Sequence, residues 1–278
     1  MKHVSLLLIS VLLVCSGCDS TIQTGSGLTS GRVLPNVTGG SGEVLVIIDN
    51  FVWDSETGVA LLDILKEEYP GLPQSEPLFD VTHISAASFD NSLRFHRSVV
   101  LLTINKTREE PAIRFRKNVW AKPQIVVQME AASNAELQEL ILDNKNKIKN
   151  FFIKYDRERI SNSYAESKDL EIQKLMAENH QIRLGIPRGY NIDISGDEYS
   201  SVSVETPDFS QVLHVYEFPA DGPEDLSTIN LLEKRNKYSK EYVKGPNKGS
   251  FMKTAEIYPP IVYDLAINGN ELVEISGL

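Results

Sequence analysis

A continuous apolar run, Glu43-Val-Leu-Val-Ile-Ile-Asp49, gives the clearest strand signal in this chain of 278 residues. Its β-branched residues, uninterrupted by polar ones, are typical of a strand that is buried on both faces. Apolar residues at helical spacing follow from Trp53 to Tyr69, and Pro70-Gly71 ends that pattern. A buried strand followed directly by an amphipathic helix predicts that the folded part begins as an α/β unit.

Further strands and a long helical segment follow this unit. The helical segment begins at Ser133, which forms a capping-box pattern with Glu136 and precedes apolar residues at helix-compatible spacing. We expect Ser161-Asn162-Ser163 to interrupt the helix, and Ser163 to begin a second helix that ends near His180. The additional strands are predicted at residues 79–84, 99–104, 112–119 and 124–129.

The rest of the chain predicts a second domain of strands around one helix. Alternating residues at 199–205 and 211–218 indicate an antiparallel hairpin, and residues 226–242 indicate an amphipathic helix. The fold class is therefore α+β, with two α/β sandwich-like domains at residues 43–160 and 161–278, mostly antiparallel sheets and a long helical segment between them. Other strands are predicted within 182–194, 251–258, 261–267 and 271–275.

The amino terminus carries the pattern of an export signal. Lys2 and His3 precede an apolar run from Val4 to Val14, and small residues follow. As a helix this run of eleven residues reaches about 16 Å. A bilayer core is about 30 Å thick. The run is therefore a targeting segment, and we expect a signal peptide at residues 1–17.

The residues before Cys18 indicate how the signal is cleaved. Ser16-Gly17-Cys18 resembles a lipobox, so we expect lipidation at Cys18, with ordinary secretion as the alternative. Several acyl chains hold a protein stably to a bilayer. The membrane is thus an expected partner through a lipid anchor at Cys18, in the cell envelope, with the outer membrane favoured over the inner membrane and periplasm as the surroundings. Residues 18–42, rich in Gly, Ser and Thr, are expected to form a flexible tether.

Charge and cysteine content exclude several classes of protein. The chain has 28 Lys and Arg against 38 Asp and Glu, and its net charge of −10 disfavours non-specific binding to nucleic acid. Both cysteines precede residue 19, which excludes a disulfide scaffold. We therefore expect no nucleic-acid partner.

Residues 94–122 are an exception to this acidic composition, because they hold eight basic and two acidic residues. Arg114 and Arg116 lie two apart on a predicted strand and should share a face. Arg94 and Arg97 would share a face if their segment is helical. Intramolecular pairing with the acidic remainder is the reading that we favour. The alternative is a patch that binds an anionic envelope component or protein partner, formed by Arg94, Arg97, Arg114, Arg116 and Lys117.

The sequence carries no local motif for catalysis or metal binding. The glycine-rich residues 38–43 precede a strand and residues 244–250 follow a helix, whereas a phosphate-binding loop follows a strand and opens a helix. There is no Gly-x-Ser-x-Gly elbow, and no two histidines after residue 18 have the spacing of metal ligands. We expect neither a cofactor nor a metal.

A series of short motifs resembles one family of proteins. The motifs are Gly42-Glu43-Val-Leu-Val-Ile-Ile-Asp49, Val52-Trp53, Glu76-Pro-Leu-Phe-Asp80, Arg116-Lys-Asn-Val-Trp120-Ala-Lys-Pro-Gln124, Ile186-Pro-Arg-Gly-Tyr190, Glu205-Thr-Pro-Asp208, Lys234-Arg-Asn236, Lys244-Gly-Pro246 and Tyr258-Pro-Pro260. From about residue 35 to its end the chain resembles the lipoproteins of Bacteroidetes-type bacteria grouped as domain of unknown function 4837. The resemblance implies a cell-envelope location and a two-part α/β layout, but no activity and no site residues.

The same resemblance bears on the carboxyl-terminal half. Family members continue beyond the point that corresponds to residue 278, so we expect the second domain to be incomplete at its carboxyl end. Through Ile186-Pro-Arg-Gly-Tyr190 this half is also loosely PsbP/Mog1-like, which is an analogy of fold and not of function.

The expected function is that of a lipid-anchored cell-envelope protein acting as a non-catalytic binding or scaffolding module. This expectation rests on the export and lipidation signal together with the lack of a local catalytic motif. The alternative is an envelope hydrolase that acts on glycan or lipid, with a site assembled from scattered residues such as His83, His96 and Asp80.

Overall fold

The computed structural model describes residues 33–72, 74–90, 92–207, 209–255, 257–267 and 269–277. Its first half contains strands β1 (Glu43–Ile47), β2 (Asp80–Ile84), β3 (Ser98–Ile104), β4 (Ala112–Lys117) and β5 (Ile125–Ala131), with helices α1 (Asn50–Trp53), α2 (Glu56–Leu65), α3 (Asn134–Asp143) and α4 (Lys145–Glu166). Its second half contains helices α5 (Leu170–His180) and α6 (Thr228–Tyr242) and strands β6 (Asn191–Ile194), β7 (Tyr199–Glu205), β8 (Ser210–Tyr216), β9 (Ile261–Ile267) and β10 (Asn270–Ser276).

The first sheet has the strand order β2-β1-β3-β5-β4 and is parallel except for the pair β4–β5. Helices α2, α3 and α4 cover one face, where Leu61, Ile141 and Phe152 belong to the same buried cluster as Val46 of the central strand. The opposite face is covered by side chains from neighbouring segments, including Trp120. The apolar run of β1 is therefore buried on both sides, as its composition predicts.

The α+β prediction is confirmed, and the two later sheets are antiparallel throughout. The first sheet differs from the predicted antiparallel majority because β1 connects to β2 through α1 and α2. A helical crossover returns the chain to the same end of the sheet and so makes the two strands parallel. A strand without alternation is also typical of parallel pairing.

The second sheet, β6-β7-β8, lies between two helices. On one face Met176 of α5 packs into a buried cluster with Val202 of β7. On the other face the ring of Tyr242 in α6 stacks on that of Tyr199, with 3.8 Å between ring centroids. The remaining strands, β9 and β10, form a separate two-stranded hairpin.

The helical segment divides at other places than predicted. Ser133 caps α3 through its side chain, as predicted. Helix α3 ends before Asn144, α4 begins after it, and α4 then continues without a break through Ser161-Asn162-Ser163. Asp169, and not Ser163, caps α5, accepting hydrogen bonds from the backbone of Glu171 and Ile172. The predicted domain boundary at residues 160 and 161 falls within α4.

Three other segments differ from the predictions. Within residues 182–194 only β6 is a strand, and the described residues 251–255 and 257–258 form no strand, apart from an isolated bridge at Phe251. Thr38, in the predicted tether, exchanges backbone hydrogen bonds with Phe95 and Arg97, so this part of the segment belongs to the folded body. No helix in the described part of the chain is both long and apolar enough to span a bilayer.

Candidate functional site

The five residues of the predicted anion-binding patch do not form one surface. Arg114 and Arg116 share an exposed face of the edge strand β4, as their spacing predicts, but Arg114 also lies 3.9 Å from the carboxylate of Glu130. Lys117 lies on the other face, because its ammonium sits 3.9 Å from the ring centroid of Tyr155 in α4. Arg94 is in a short 3₁₀ turn and lies against the ring of Phe89.

Arg97, the fifth residue, serves inside the protein. Its guanidinium lies 3.4 Å from the carboxylate of Asp156 in α4, and its side chain is mostly buried. Arg159 donates to the same carboxylate oxygen at 3.0 Å, while Ser41 and the backbone of Gly42 donate to the other oxygen. We call these groups, centred on Asp156, the Asp156 cluster. The favoured reading of the basic stretch, internal pairing, describes Arg97 well.

The Asp156 cluster holds its carboxyl group ionised. Burial by itself would raise the pKa of Asp156, but hydrogen bonds from Ser41 and Arg159, with the charges of Arg159 and Arg97, lower it overall. Burial in turn lowers the pKa of Arg159. Two cations therefore share one anion in a largely desolvated place.

The scattered residues of the hydrolase alternative do not all meet: His96 and Asp80 both lie near Glu43, and His83 lies at the other end of β1. His83 hydrogen-bonds the carbonyl of Ile48 and stacks on Trp53, at the carboxyl end of β1. His96 lies 3.5 Å from Glu43, at the opposite end of that strand. Asp80 is exposed beside Glu43 in the strand register. These three residues therefore form no common site.

A hydrogen-bonded chain of Ser200, His180 and Glu217 was missed by sequence reasoning. Nε2 of His180 lies 2.8 Å from Oγ of Ser200, and Nδ1 lies 3.0 Å from Glu217. These are the residue types and ring atoms of a catalytic triad. The three come from α5, β7 and the end of β8, and no spacing in the sequence announces them.

The burial of this chain is the reverse of what a triad needs. Ser200 is fully buried, and its hydroxyl donates to the carbonyl of Gly196 at 3.1 Å. The side chain of Glu217 is 57% exposed. A catalytic nucleophile must face the substrate while the acid that orients the histidine is buried. The hydrogen bonds of His180 instead connect the carboxyl end of α5 to the second sheet.

A cleft of about 550 Å³ lies between α4 and the β9–β10 hairpin. We call it the α4–hairpin cleft. Ile153 of α4 contributes to one wall, Tyr69 precedes the turn at Pro70 and Gly71, and Tyr263 of β9 lies on the hairpin side. The side chains of Tyr69 and Tyr263 are large and well exposed, at 42% and 39%. Pockets of this size, with mixed apolar and polar walls, are where proteins commonly hold small ligands.

Some polar groups of the cleft are already engaged. Lys149 donates to both carboxylate oxygens of Glu67, at 2.6 and 2.8 Å. Asp156, which also lines the cleft, is held by its own cluster. These groups shape the cleft and neutralise one another.

Other polar groups of the cleft are unengaged. Within the part of the chain that the structure describes, the side chains of Asn150, Arg157 and Glu274 make neither a hydrogen bond nor an ion pair. Asn150 and Arg157 come from α4 and Glu274 from β10. The cleft thus offers a cation, an anion and an amide beside two exposed rings.

The described residues show no group of three or more His, Cys, Asp or Glu side chains that could hold a metal ion.

The chain's relationships to known proteins come from two family models. Residues 169–278 match DUF4837, a domain of unknown function. Residues 37–165 match a second domain of unknown function, DUF8532. The predicted resemblance to domain of unknown function 4837 is thus confirmed over residues 169–278, whereas residues 37–165 match the other model. No curated protein and no solved structure matches the chain.

Proposed function

We propose that this protein is a non-catalytic binding module of the cell envelope, and that its ligand occupies the α4–hairpin cleft. One observation carries the proposal: the cleft is large enough for a small ligand, and Asn150, Arg157 and Glu274 line it with polar groups that the described protein leaves unused. All three side chains are exposed, so water satisfies them in the free protein. Polar groups left free in a cleft are the groups that a ligand can use.

The hydrolase alternative has weaker support. In the described part of the cleft no serine lies within hydrogen-bond distance of a histidine, so the lining offers no pair of nucleophile and base. The chain of Ser200, His180 and Glu217 has the right atoms but the wrong burial. A binding role needs only the shape and the free polar groups of the cleft.

The proposal includes attachment to a membrane through lipid at Cys18, the outer membrane being favoured. Its support is the order of charged, apolar and small residues at positions 1–17, followed by Cys18. Cys18 and most of the predicted tether lie outside the described residues. Lipidation would keep the binding module close to envelope components and raise its effective concentration there.

A cleft-filling variant tests the binding function. We would screen a fragment library by ligand-observed NMR against the wild type and Ile153→Trp, whose larger side chain occupies the cleft. Ile160→Trp is the matched control, because Ile160 lies on the same helix with an exposed side chain. Hits that bind the wild type and Ile160→Trp but not Ile153→Trp would support the proposal. Hits that survive in Ile153→Trp, or no hits at all, would contradict it.

A metabolic label tests the anchor. Cells that express the protein would be fed a clickable fatty acid, and the purified protein would be examined for label. We expect label on the wild type and on Cys15→Ala, and none on Cys18→Ala. Label that persists in Cys18→Ala would refute the anchor without affecting the cleft.

We also propose a second contact, between the Arg114–Arg116 face of β4 and an anionic envelope component. It is supported by the exposure of both side chains on one face and by the lack of a partner for Arg116 among the described residues. Binding to vesicles containing an anionic lipid would be compared between Arg116→Glu and Lys248→Glu, which change the net charge equally. A weaker interaction only for Arg116→Glu would favour this contact, and equal binding would exclude it.

A further inference from the structure

We infer that the ligand of the α4–hairpin cleft is a short peptide with free ends, its carboxylate held by Arg157 and its ammonium group by Glu274. This inference rests on the proposed function, because it names the class of ligand for the same cleft. The inference is based on two free charges that line the same cavity, the cation of Arg157 on α4 and the anion of Glu274 on β10.

The two charges do not satisfy each other. Arg157 and Glu274 line one cavity, yet no nitrogen–oxygen pair between them lies within 4.0 Å. Neither has another ion-pair partner among the described residues. Both side chains are exposed and hydrated in the free protein, and a ligand that displaces this water from either charge without supplying a partner binds less well. The two charges therefore favour a ligand that brings an anion for Arg157 and a cation for Glu274.

A free peptide provides both charges at its two ends. Its terminal carboxylate matches the planar fork of a guanidinium, which binds carboxylates through two parallel hydrogen bonds. Its terminal ammonium donates to the carboxylate of Glu274. The amide of Asn150, in the same cleft, can both donate to and accept from a peptide bond.

The apolar part of the cleft suits the side chains of such a ligand. Leu78, Phe79 and Ile153 lie on the side of the first sheet, and Tyr263 and Leu265 lie on the hairpin. A peptide with small apolar side chains buries them there. A neutral sugar would stack on Tyr69 or Tyr263 equally well, but it would leave Arg157 and Glu274 without opposite charges.

Calorimetry with four forms of one peptide tests the inference. The probe is Ala-Leu-Ala with free ends, with an acetylated amino end, with an amidated carboxyl end, and with both ends blocked. We expect the free peptide to bind the wild type best. Amidation should weaken binding about tenfold, and acetylation should do so similarly, since each removes one charge-assisted contact.

Two variants assign each end of the peptide to its residue. In Arg157→Gln we expect amidation to lose its effect while acetylation keeps it. In Glu274→Gln the pattern should reverse. Arg183→Gln and Glu205→Gln, at exposed residues outside the cleft, should behave as the wild type. A variant that misfolds would weaken the binding of all four peptides alike. A direct contact shows instead as the loss of the effect of modifying one peptide end while the effect of modifying the other end remains.

Other outcomes overturn this inference in distinguishable ways. If the free and blocked peptides bind equally, the termini are not recognised. If the peptide fails while maltotriose or a screening hit binds the wild type but not Ile153→Trp, the cleft is a binding site for another ligand class. If Ile153→Trp changes the binding of no compound, the proposed function fails as well.

Discussion

Helix α4 carries two neighbouring polar residues in opposite situations. Asp156 is held by Ser41, the backbone of Gly42, Arg97 and Arg159, whereas Arg157 has no partner among the described residues. Both line the α4–hairpin cleft. The first belongs to the construction of the fold, and the second is available to something else. Burial and the number of partners both separate the two roles, because Asp156 is mostly buried and Arg157 is exposed.

The largest effect is expected on removing the centre of the engaged region. Asp156→Ala would leave the guanidinium groups of Arg97 and Arg159 mostly buried without their anion, and the Nε atoms of both already lack a partner. We expect a loss of about 3 kcal/mol in the free energy of unfolding, measured in urea. Glu166→Ala, at an exposed residue of the same helix outside the cluster, should change stability by less than about 0.5 kcal/mol.

A change of equal size in the two variants would contradict this picture of the Asp156 cluster. It would mean that Arg97 and Arg159 find other partners once the carboxylate is gone. In that case Asp156 would contribute no more to the stability of the fold than an exposed residue does, and it would not differ from Arg157 in this respect.

The chain of His180, Ser200 and Glu217 extends the comparison to the second sheet. His180→Ala removes a buried ring and its hydrogen bonds to Ser200 and Glu217, so we expect a loss of about 2 kcal/mol. Glu217→Gln should cost less than about 1 kcal/mol, because its side chain is 57% exposed and its amide oxygen still accepts from Nδ1. Urea unfolding of both variants measures the difference.

The reverse order of effects would change the reading of this chain. A larger loss for Glu217→Gln would mean that the charge of Glu217, and not the packing of His180, stabilises the contact. The pairing of the two residues would then resemble that of a working triad more closely.

Acid provides a smaller and reversible way to weaken the Asp156 cluster. The pKa of Asp156 is lower in the fold than its ordinary value of 3.8, so the unfolded chain binds this proton more readily. The resulting stabilisation is complete well above pH 3.8 and is lost as the pH falls through the lower folded value. The difference in unfolding free energy between the wild type and Asp156→Asn should therefore shrink below about pH 4. A difference that stays constant to pH 2.5 would contradict the direction of this shift.

Local patterns in the sequence predicted those parts of the fold that local physics governs. The buried strand at Glu43–Ile47, the cap at Ser133 and the hairpin of β7 and β8 all follow from spacing within a few residues. The continuous helix through Ser161-Asn162-Ser163 did not follow, because weak helix formers are tolerated where they lie on an exposed face.

The candidate site depends on contacts between distant parts of the chain. Arg157 and Glu274 meet at one cleft only because the hairpin folds back beside α4, and neither residue stands in a recognisable motif. Likewise Arg97 belongs to a basic stretch by sequence but to Asp156 by contact. Charge counts along a chain cannot predict such pairings, since the partner lies far away in the sequence.

The smallest effect is expected on the stability of the free side of α4. Arg157 has no hydrogen bond or ion pair within the described residues, so Arg157→Ala should change the free energy of unfolding by less than about 0.5 kcal/mol. In the same urea series, Asp156→Ala at the adjacent position is expected to lower the free energy of unfolding several times more. A loss above about 1 kcal/mol would show that Arg157 stabilises the fold itself. The cleft would then lack a free cation, and the argument for a ligand carboxylate would fail with it.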